Sequence, residues 1–93
     1  MPLADSDEAL KLQPINLDVR ETRGFIYLKL GDPSLALHEY DQALDADPQR
    51  VIALYGRGLA KIRLGNVADG ERDRAAAIAI NPAVAGEFSV YGL

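Results

Sequence analysis

Residues of the same type recur along this sequence at an interval of 34 positions. Three series share one register: Pro14, Pro48 and Pro82; Gly24, Gly58 and Gly92; and Ala9, Ala43 and Ala77. Leu-Gly pairs at 30–31 and 64–65 keep the same interval. Several series in one register indicate a duplicated structural unit, and a period of roughly 20–50 residues is typical of stacked repeat folds.

Each repeated unit is predicted to form two α-helices, over 17–30 and 34–46 in the first unit and over 51–64 and 67–80 in the second. Gly31 supplies the left-handed residue that commonly ends a helix. Asp32 is the predicted N-cap of the next helix, and Pro33 suits its first position. No stretch alternates as a strand would. Because one such helix pair cannot bury its apolar face alone, we expect an all-α fold of stacked pairs.

Small residues inside the predicted helices indicate where helix axes approach each other. Glycine within a helix costs about 1 kcal/mol relative to alanine. Its presence at both Gly24 and Gly58 therefore predicts close packing that compensates for this cost.

The order of small residues, aromatic residues and prolines resembles the tetratricopeptide repeat (TPR), whose pattern is W-x2-L-G-x2-Y, A-x3-F and P. The matching residues are Gly24, Tyr27, Ala36, Tyr40 and Pro48 in the first unit, and Gly58, Ala77 and Pro82 in the second. The resemblance implies a right-handed superhelix of antiparallel helix pairs, in a single domain over residues 1–93. Its parts would be 1–14 as the end of a preceding repeat or an N-terminal helix, 17–50 and 51–84 as repeats, and 85–93 as a partial repeat or capping helix.

Several cations depart from the TPR pattern. Large apolar residues of the motif are replaced by Arg20, Arg23, Arg57 and Lys61. We expect other apolar neighbours to fill these positions. Arg74, which replaces an aromatic residue, is expected to keep its charged end in solvent or over a ring such as Phe88 or Tyr91.

The resemblance also implies a function, because the first helices of successive TPRs line a groove that takes up a peptide or helix of another protein. Carried over by register, the candidate groove residues are Asp18, Glu21, Phe25, Leu28, Lys29, Ile52, Tyr55, Leu59, Ile62 and Arg63. Together they predict an apolar middle with basic edges, suited to an extended or amphipathic helical segment with some acidic residues. The alternative is that Phe25 and Leu59 simply pack between helices.

One TPR subclass binds acidic chaperone tails through Lys, Arg and Asn side chains on the first helices. The corresponding positions here carry Glu21, Phe25 and Gly56, so we do not expect that type of binding.

Composition points away from catalysis and from nucleic acids. The chain has no cysteine and a single histidine, His38, which is expected to lie on the surface. We therefore expect no catalytic residue, no cofactor and no metal site.

The net charge of −4 disfavours nucleic acid and anionic membranes as partners. No apolar run approaches the ~20 residues of a membrane span, and the first residues lack the features of a secretion signal. We expect a soluble protein, in the cytoplasm rather than the periplasm.

The sequence leaves three further possibilities open. Apolar residues near both ends could pair between chains and form a homodimer; they are Leu3, Leu10, Leu12, Phe88, Val90, Tyr91 and Leu93. The segment 85–93 could instead fold back as a cap, which would leave a monomer. The chain could also be a piece of a larger TPR protein.

Overall fold

The computed structural model describes residues 16–93, which form five α-helices. They are α1 (Leu17–Lys29), α2 (Pro33–Ala46), α3 (Val51–Arg63), α4 (Val67–Ile80) and α5 (Val84–Ser89). Residues 16–93 contain no strand, so the all-α prediction is confirmed, and α1 to α4 begin and end within one residue of their predicted limits. The segment 1–14, predicted as the end of a preceding repeat, lies outside the described residues. Helices adjacent in sequence pack together from α1 to α4, and α1 also contacts α3.

The turns inside the two helix pairs share a glycine in the left-handed region. Gly31 and Gly65 adopt positive φ angles of 79° and 97°, which glycine reaches without the steric cost of a side chain. After Gly31, the amide of Asp32 donates to the carbonyl of Tyr27 at 2.8 Å, and the Asp32 carboxylate accepts from the amide of Leu35 at 3.2 Å. The predicted helix stop and N-cap are therefore confirmed. We propose α1/α2 and α3/α4 as the repeats 17–50 and 51–84.

The ring of Tyr40 is the centre of the core, and two glycines make room for it. Tyr40 is fully buried. A Cβ atom at Gly24 on α1 would lie 2.7 Å from its Cζ atom, and one at Gly56 on α3 would lie 2.2 Å from it. The close approach predicted at Gly24 is thus confirmed. Burial first, and the Glu21 carboxylate second, raise the pKa of the Tyr40 hydroxyl, which stays protonated.

The second helix pair packs backbone against backbone. A Cβ atom at Gly58 would lie 2.6 Å from the carbonyl oxygen of Gly70, and one at Gly70 would lie 2.5 Å from the carbonyl oxygen of Gly58. This confirms the close packing predicted at Gly58. Gly70 and Ala77 are the buried residues of α4. The position of α4 therefore depends on small residues rather than on large apolar side chains.

Ion pairs occupy the positions where the sequence departs from the TPR pattern. Arg20 and Arg23 reach Glu39, at 3.1 and 3.2 Å. Glu39 is only 4% exposed, so this pair of contacts neutralises a buried charge. At these positions a carboxylate of the second helix compensates the cations.

The second pair repeats this arrangement around Asp73. Arg57 and Lys61 lie 2.8 and 3.0 Å from the Asp73 carboxylate, and Arg57 also reaches Asp41 at 3.2 Å. Burial alone would raise the pKa of Asp73, but the hydrogen bonds from Arg57 and Lys61 outweigh it and hold the pKa below its ordinary value of 3.8. The charged form of Asp73 therefore stabilises the fold near neutral pH.

Candidate protein-binding face

The predicted groove residues of α1 divide between the surface and the core. Asp18 and Lys29 are exposed, and Phe25 is half-buried. Glu21 is 7% exposed and Leu28 is 1% exposed. Because Leu28 lies on the buried stripe that also carries Gly24, it is a core residue and does not line an open surface. We call the surface formed by the predicted residues of α1 and α3 the first-helix face.

The predicted residues of α3 divide in the same way. Ile52 is 41% exposed, whereas Tyr55 is 3% exposed. Leu59 is half-buried against the core. Ile62 packs against Gly70 of α4, since a Cβ atom at Gly70 would lie 2.6 Å from its Cγ1 atom. Arg63 is exposed. Phe25 and Ile52 are the apolar side chains of the predicted groove that line an open cavity on this face.

A short segment of the chain itself lies on the first-helix face. We call residues 84–93, which include α5, the C-terminal segment. The ring of Phe88 packs 4.7 Å from the ring of Tyr55 and 6.1 Å from the ring of Phe25, measured between centroids. Tyr91 meets Phe25 edge to face at 5.1 Å. Aromatic pairs favour such edge and tilted geometries, so this segment is held against α1 and α3 by a cluster of four rings.

Hydrogen bonds fix the basic side of the face. The Nζ atom of Lys29 donates to the carbonyl of Tyr91, and Nη1 of Arg63 donates to the carbonyl of Leu28 at 2.8 Å. Lys29 and Arg63, the predicted basic edges, are both exposed, and both also contact the backbone of the chain. Their role is partly to hold the C-terminal segment and the end of α1.

An open apolar cavity remains between α1, α3 and the C-terminal segment. Its volume is about 410 Å³, and it is lined by Phe25, Ile52, Glu87, Phe88, Val90 and Tyr91. Sequence reasoning placed Phe88 and Tyr91 at a repeat end and did not include them in the groove. The short spacing between these two aromatic residues is the signal that could have pointed to a packed segment.

A polar recess adjoins this apolar cavity. It has a volume of about 460 Å³ and is lined in part by Asp18, Glu21, Arg50 and Glu87. Arg50 forms ion pairs with both Asp18 and Glu21, the latter at 2.9 Å. The hydrogen bond to Glu21 is the main cause that raises the pKa of Arg50. The buried Glu21 carboxylate is therefore neutralised by Arg50 and is not available as a free charge.

Arg74 of α4 contacts both the ring and the hydroxyl group of Tyr55. Its guanidinium carbon lies 5.2 Å from the centre of the Tyr55 ring, and Nη2 lies 3.2 Å from the Tyr55 hydroxyl oxygen. The hydrogen bond with Tyr55 is the main cause that raises the pKa of Arg74. The expected contact between Arg74 and a ring is present, but the ring is Tyr55 rather than Phe88 or Tyr91. Tyr55 is thus fixed from α4 on one side and from Phe88 on the other.

The next observations concern metal binding, the single histidine and membrane spans. Within residues 16–93, no group of three or more His, Asp or Glu side chains could hold a metal ion. His38 is exposed, as predicted. None of the helices in this range is long and apolar enough to cross a membrane.

Helix pairs stacked in a row, with the first helices of the pairs contacting each other, define a helical-repeat protein. A family model described as tetratricopeptide repeat matches residues 22–85. The chain therefore belongs to the tetratricopeptide repeat family, and it is a protein–protein interaction module.

Two human proteins are among its relatives. The chain is 40% identical over 55 residues to FK506-binding protein-like, and this alignment covers 59% of the chain and 16% of that protein. It is 29% identical over 82 residues to the mitochondrial import receptor subunit TOM70, and this alignment covers 84% of the chain and 14% of that protein. The chain thus spans about one-sixth of the length of these relatives or less. No solved structure matches it significantly.

Proposed function

We propose that the first-helix face binds a short segment of a partner protein, in helical or extended form. The C-terminal segment carries this proposal, because it is itself a short helix seated on α1 and α3. Phe88 is only 3% exposed there. The face thus has the shape and apolar character that a short aromatic segment requires, which is the helix-in-groove mode of recognition.

Side chains at the open part of the face would supply the contacts. Ile52 and Phe25 would pack against an apolar side chain of the partner, and the cavity of about 410 Å³ is within the range of roughly 300–1,000 Å³ usual for ligand sites. Lys29, Leu59 and Arg63 would contact the partner beyond the cavity. We assign Glu21, Leu28, Tyr55 and Ile62 a supporting role, because their side chains are buried or packed between helices.

The relatives support a binding role in general terms. Human TOM70 is, by its name, a receptor subunit for mitochondrial import. A receptor acts by recognising another molecule, which agrees with a binding function for a chain that resembles part of it. The fold supplies the scaffold, and the identity of the partner depends on the side chains of the face.

Selection from a random peptide library tests this proposal. The full chain is immobilised and selected peptides are then measured against two variants, Ile52→Glu at the face and Leu35→Glu on α2. The two residues are matched, since Ile52 is 41% and Leu35 is 45% exposed. We expect Ile52→Glu to abolish binding of most selected peptides and Leu35→Glu to leave it unchanged, with helicity checked by circular dichroism. Peptides that bind both variants equally would contradict the proposal.

Self-association is the second candidate function. The contacts that Phe88 and Tyr91 make with Phe25 and Tyr55 are carried by a ten-residue segment that follows a short turn after α4. A second copy could therefore supply the same segment to the same face. Light scattering over a dilution series tests this, because a mass that stays at one chain throughout would exclude such an exchange.

A further inference from the structure

The open part of the first-helix face has two adjoining compartments of different character. The apolar cavity and the polar recess share two wall residues, Ile52 and Glu87. Two side chains of one bound partner segment, one in each compartment, would therefore be neighbours. Because residues three or four apart on a helix are about 5–6 Å apart, one helical turn can place a side chain in each.

The charge of the polar recess is negative. Three carboxylates line it, those of Asp18, Glu21 and Glu87, and Arg50 is the cation among its lining residues. Arg50 is shared between Asp18 and Glu21. Glu87 is exposed and forms no ion pair with any residue of 16–93. The Asp18 side chain is 80% exposed, so its charge also faces an incoming ligand.

We propose that the partner segment carries a large apolar residue and, one helical turn away, a lysine or arginine. The apolar side chain enters the cavity between Phe25 and Ile52, and the cation lies against Glu87 and Asp18. This rests on the proposed binding of a segment at the first-helix face. The sequence alone predicts a partner segment with acidic residues, whereas this proposal gives the partner a basic one. The reason is that Lys29 and Arg63 contact backbone carbonyls, whereas the carboxylates border the cavity. Complementary charge selects among partners that share the same apolar anchor.

Two designed peptides test the inference. Both are alanine-rich helices with one phenylalanine, and they differ only in carrying lysine or glutamate four residues after it. Binding of each labelled peptide to the full chain is measured by fluorescence anisotropy at low and at physiological salt. We expect the lysine peptide to bind about three- to tenfold more tightly, as for one or two partly exposed ion pairs, and the preference to shrink as salt rises.

Matched variants identify the charges responsible. Glu87→Gln is expected to remove most of the preference for lysine, whereas Asp45→Asn, which neutralises an exposed carboxylate of α2, is expected to preserve it. Equal binding of the two peptides, or tighter binding of the glutamate peptide, would overturn the inference while leaving the groove intact. If neither peptide binds and Ile52→Glu also leaves library-selected peptides bound, both the inference and the proposed function are wrong.

Discussion

The substitution Gly56→Ala tests the packing on which the first-helix face depends. A Cβ atom at Gly56 would lie 2.2 Å from the Cζ atom of Tyr40, against an ordinary contact of at least 3.4 Å. The buried ring would therefore have to move by about 1.2 Å relative to α3, and the flat ring of Tyr40 cannot bend away.

The size of the effect follows from two opposing contributions. Overpacking a core typically costs about 1–3 kcal/mol, and a clash this severe lies at the upper end. Alanine in place of glycine within a helix stabilises by about 1 kcal/mol. The net expectation is a loss of about 2 kcal/mol, which corresponds to a decrease in Tm of about 8–16 °C for a domain of this size.

Thermal and urea unfolding followed by circular dichroism measure this loss. The control is Gly86→Ala, because a Cβ atom at Gly86, also in a helix, meets nothing within 4 Å. It should leave Tm unchanged or raise it slightly. In a Tyr40→Leu background the cost of Gly56→Ala should fall by about 1–2 kcal/mol, since neighbouring substitutions couple. A Gly56→Ala variant as stable as the wild type would refute the packing argument.

Three further predictions concern charges and the C-terminal segment. Because the pKa of Asp73 is lowered in the folded state, the stability that Asp73 contributes is present above about pH 4 and is lost as the pH falls through the folded-state pKa. Asp73→Asn should therefore lower the free energy of unfolding by about 1 kcal/mol at pH 7. The variant should also lose less stability in acid than the wild type does, as measured by urea titration at several pH values. Glu39→Gln should destabilise the protein by about 2–3 kcal/mol in the same assay, because it leaves cations without a buried partner, whereas the exposed Glu71→Gln should change it by less than about 0.5 kcal/mol. Phe88→Ala should cost about 3 kcal/mol and speed hydrogen exchange of the C-terminal segment, whereas Val90→Ala, at a side chain that is 79% exposed, should do neither.

Helix limits could be predicted from the sequence because they depend on local chemistry. A glycine with positive φ ends a helix and Asp32 begins the next one, and both effects depend only on residues close by in the sequence. The 34-residue period repeats the glycine signal at Gly65. The close packing at Gly24 could be predicted because glycine recurs inside a predicted helix at Gly24 and Gly58, where it is otherwise unfavourable. The burial of Leu28 was also predictable, since it lies four residues after Gly24 on the same helix stripe.

Other contacts between helices leave no repeat signal in the sequence. Gly56 has no repeat signal, because the positions 34 residues away carry Thr22 and Val90. Its role follows only from the reach of the Tyr40 ring between α1 and α3. Likewise, Arg20 and Arg23 form ion pairs with Glu39 of α2, and the repeat pattern gives no sign of this contact.

The position of the C-terminal segment also required the three-dimensional structure. Its sequence fits either a further repeat or a cap, because Phe88 and Tyr91 match the opening of the repeat motif. The structure shows that the segment contacts Phe25 of α1 and so reaches back to the first helix pair. We propose on this ground that it is a cap. The two compartments beside it arise from this arrangement, so neither could be derived from the sequence.

An NMR titration of the isotopically labelled chain with a library-selected peptide tests the central claim most directly. We predict that the backbone amide signals of α1 and α3 around Phe25 and Ile52, and those of the C-terminal segment, shift on binding. Signals of α2 around Leu35 should stay in place. Shifts confined to α2 and α4, with none at Phe25 or Ile52, would contradict the assignment of the first-helix face as the binding surface.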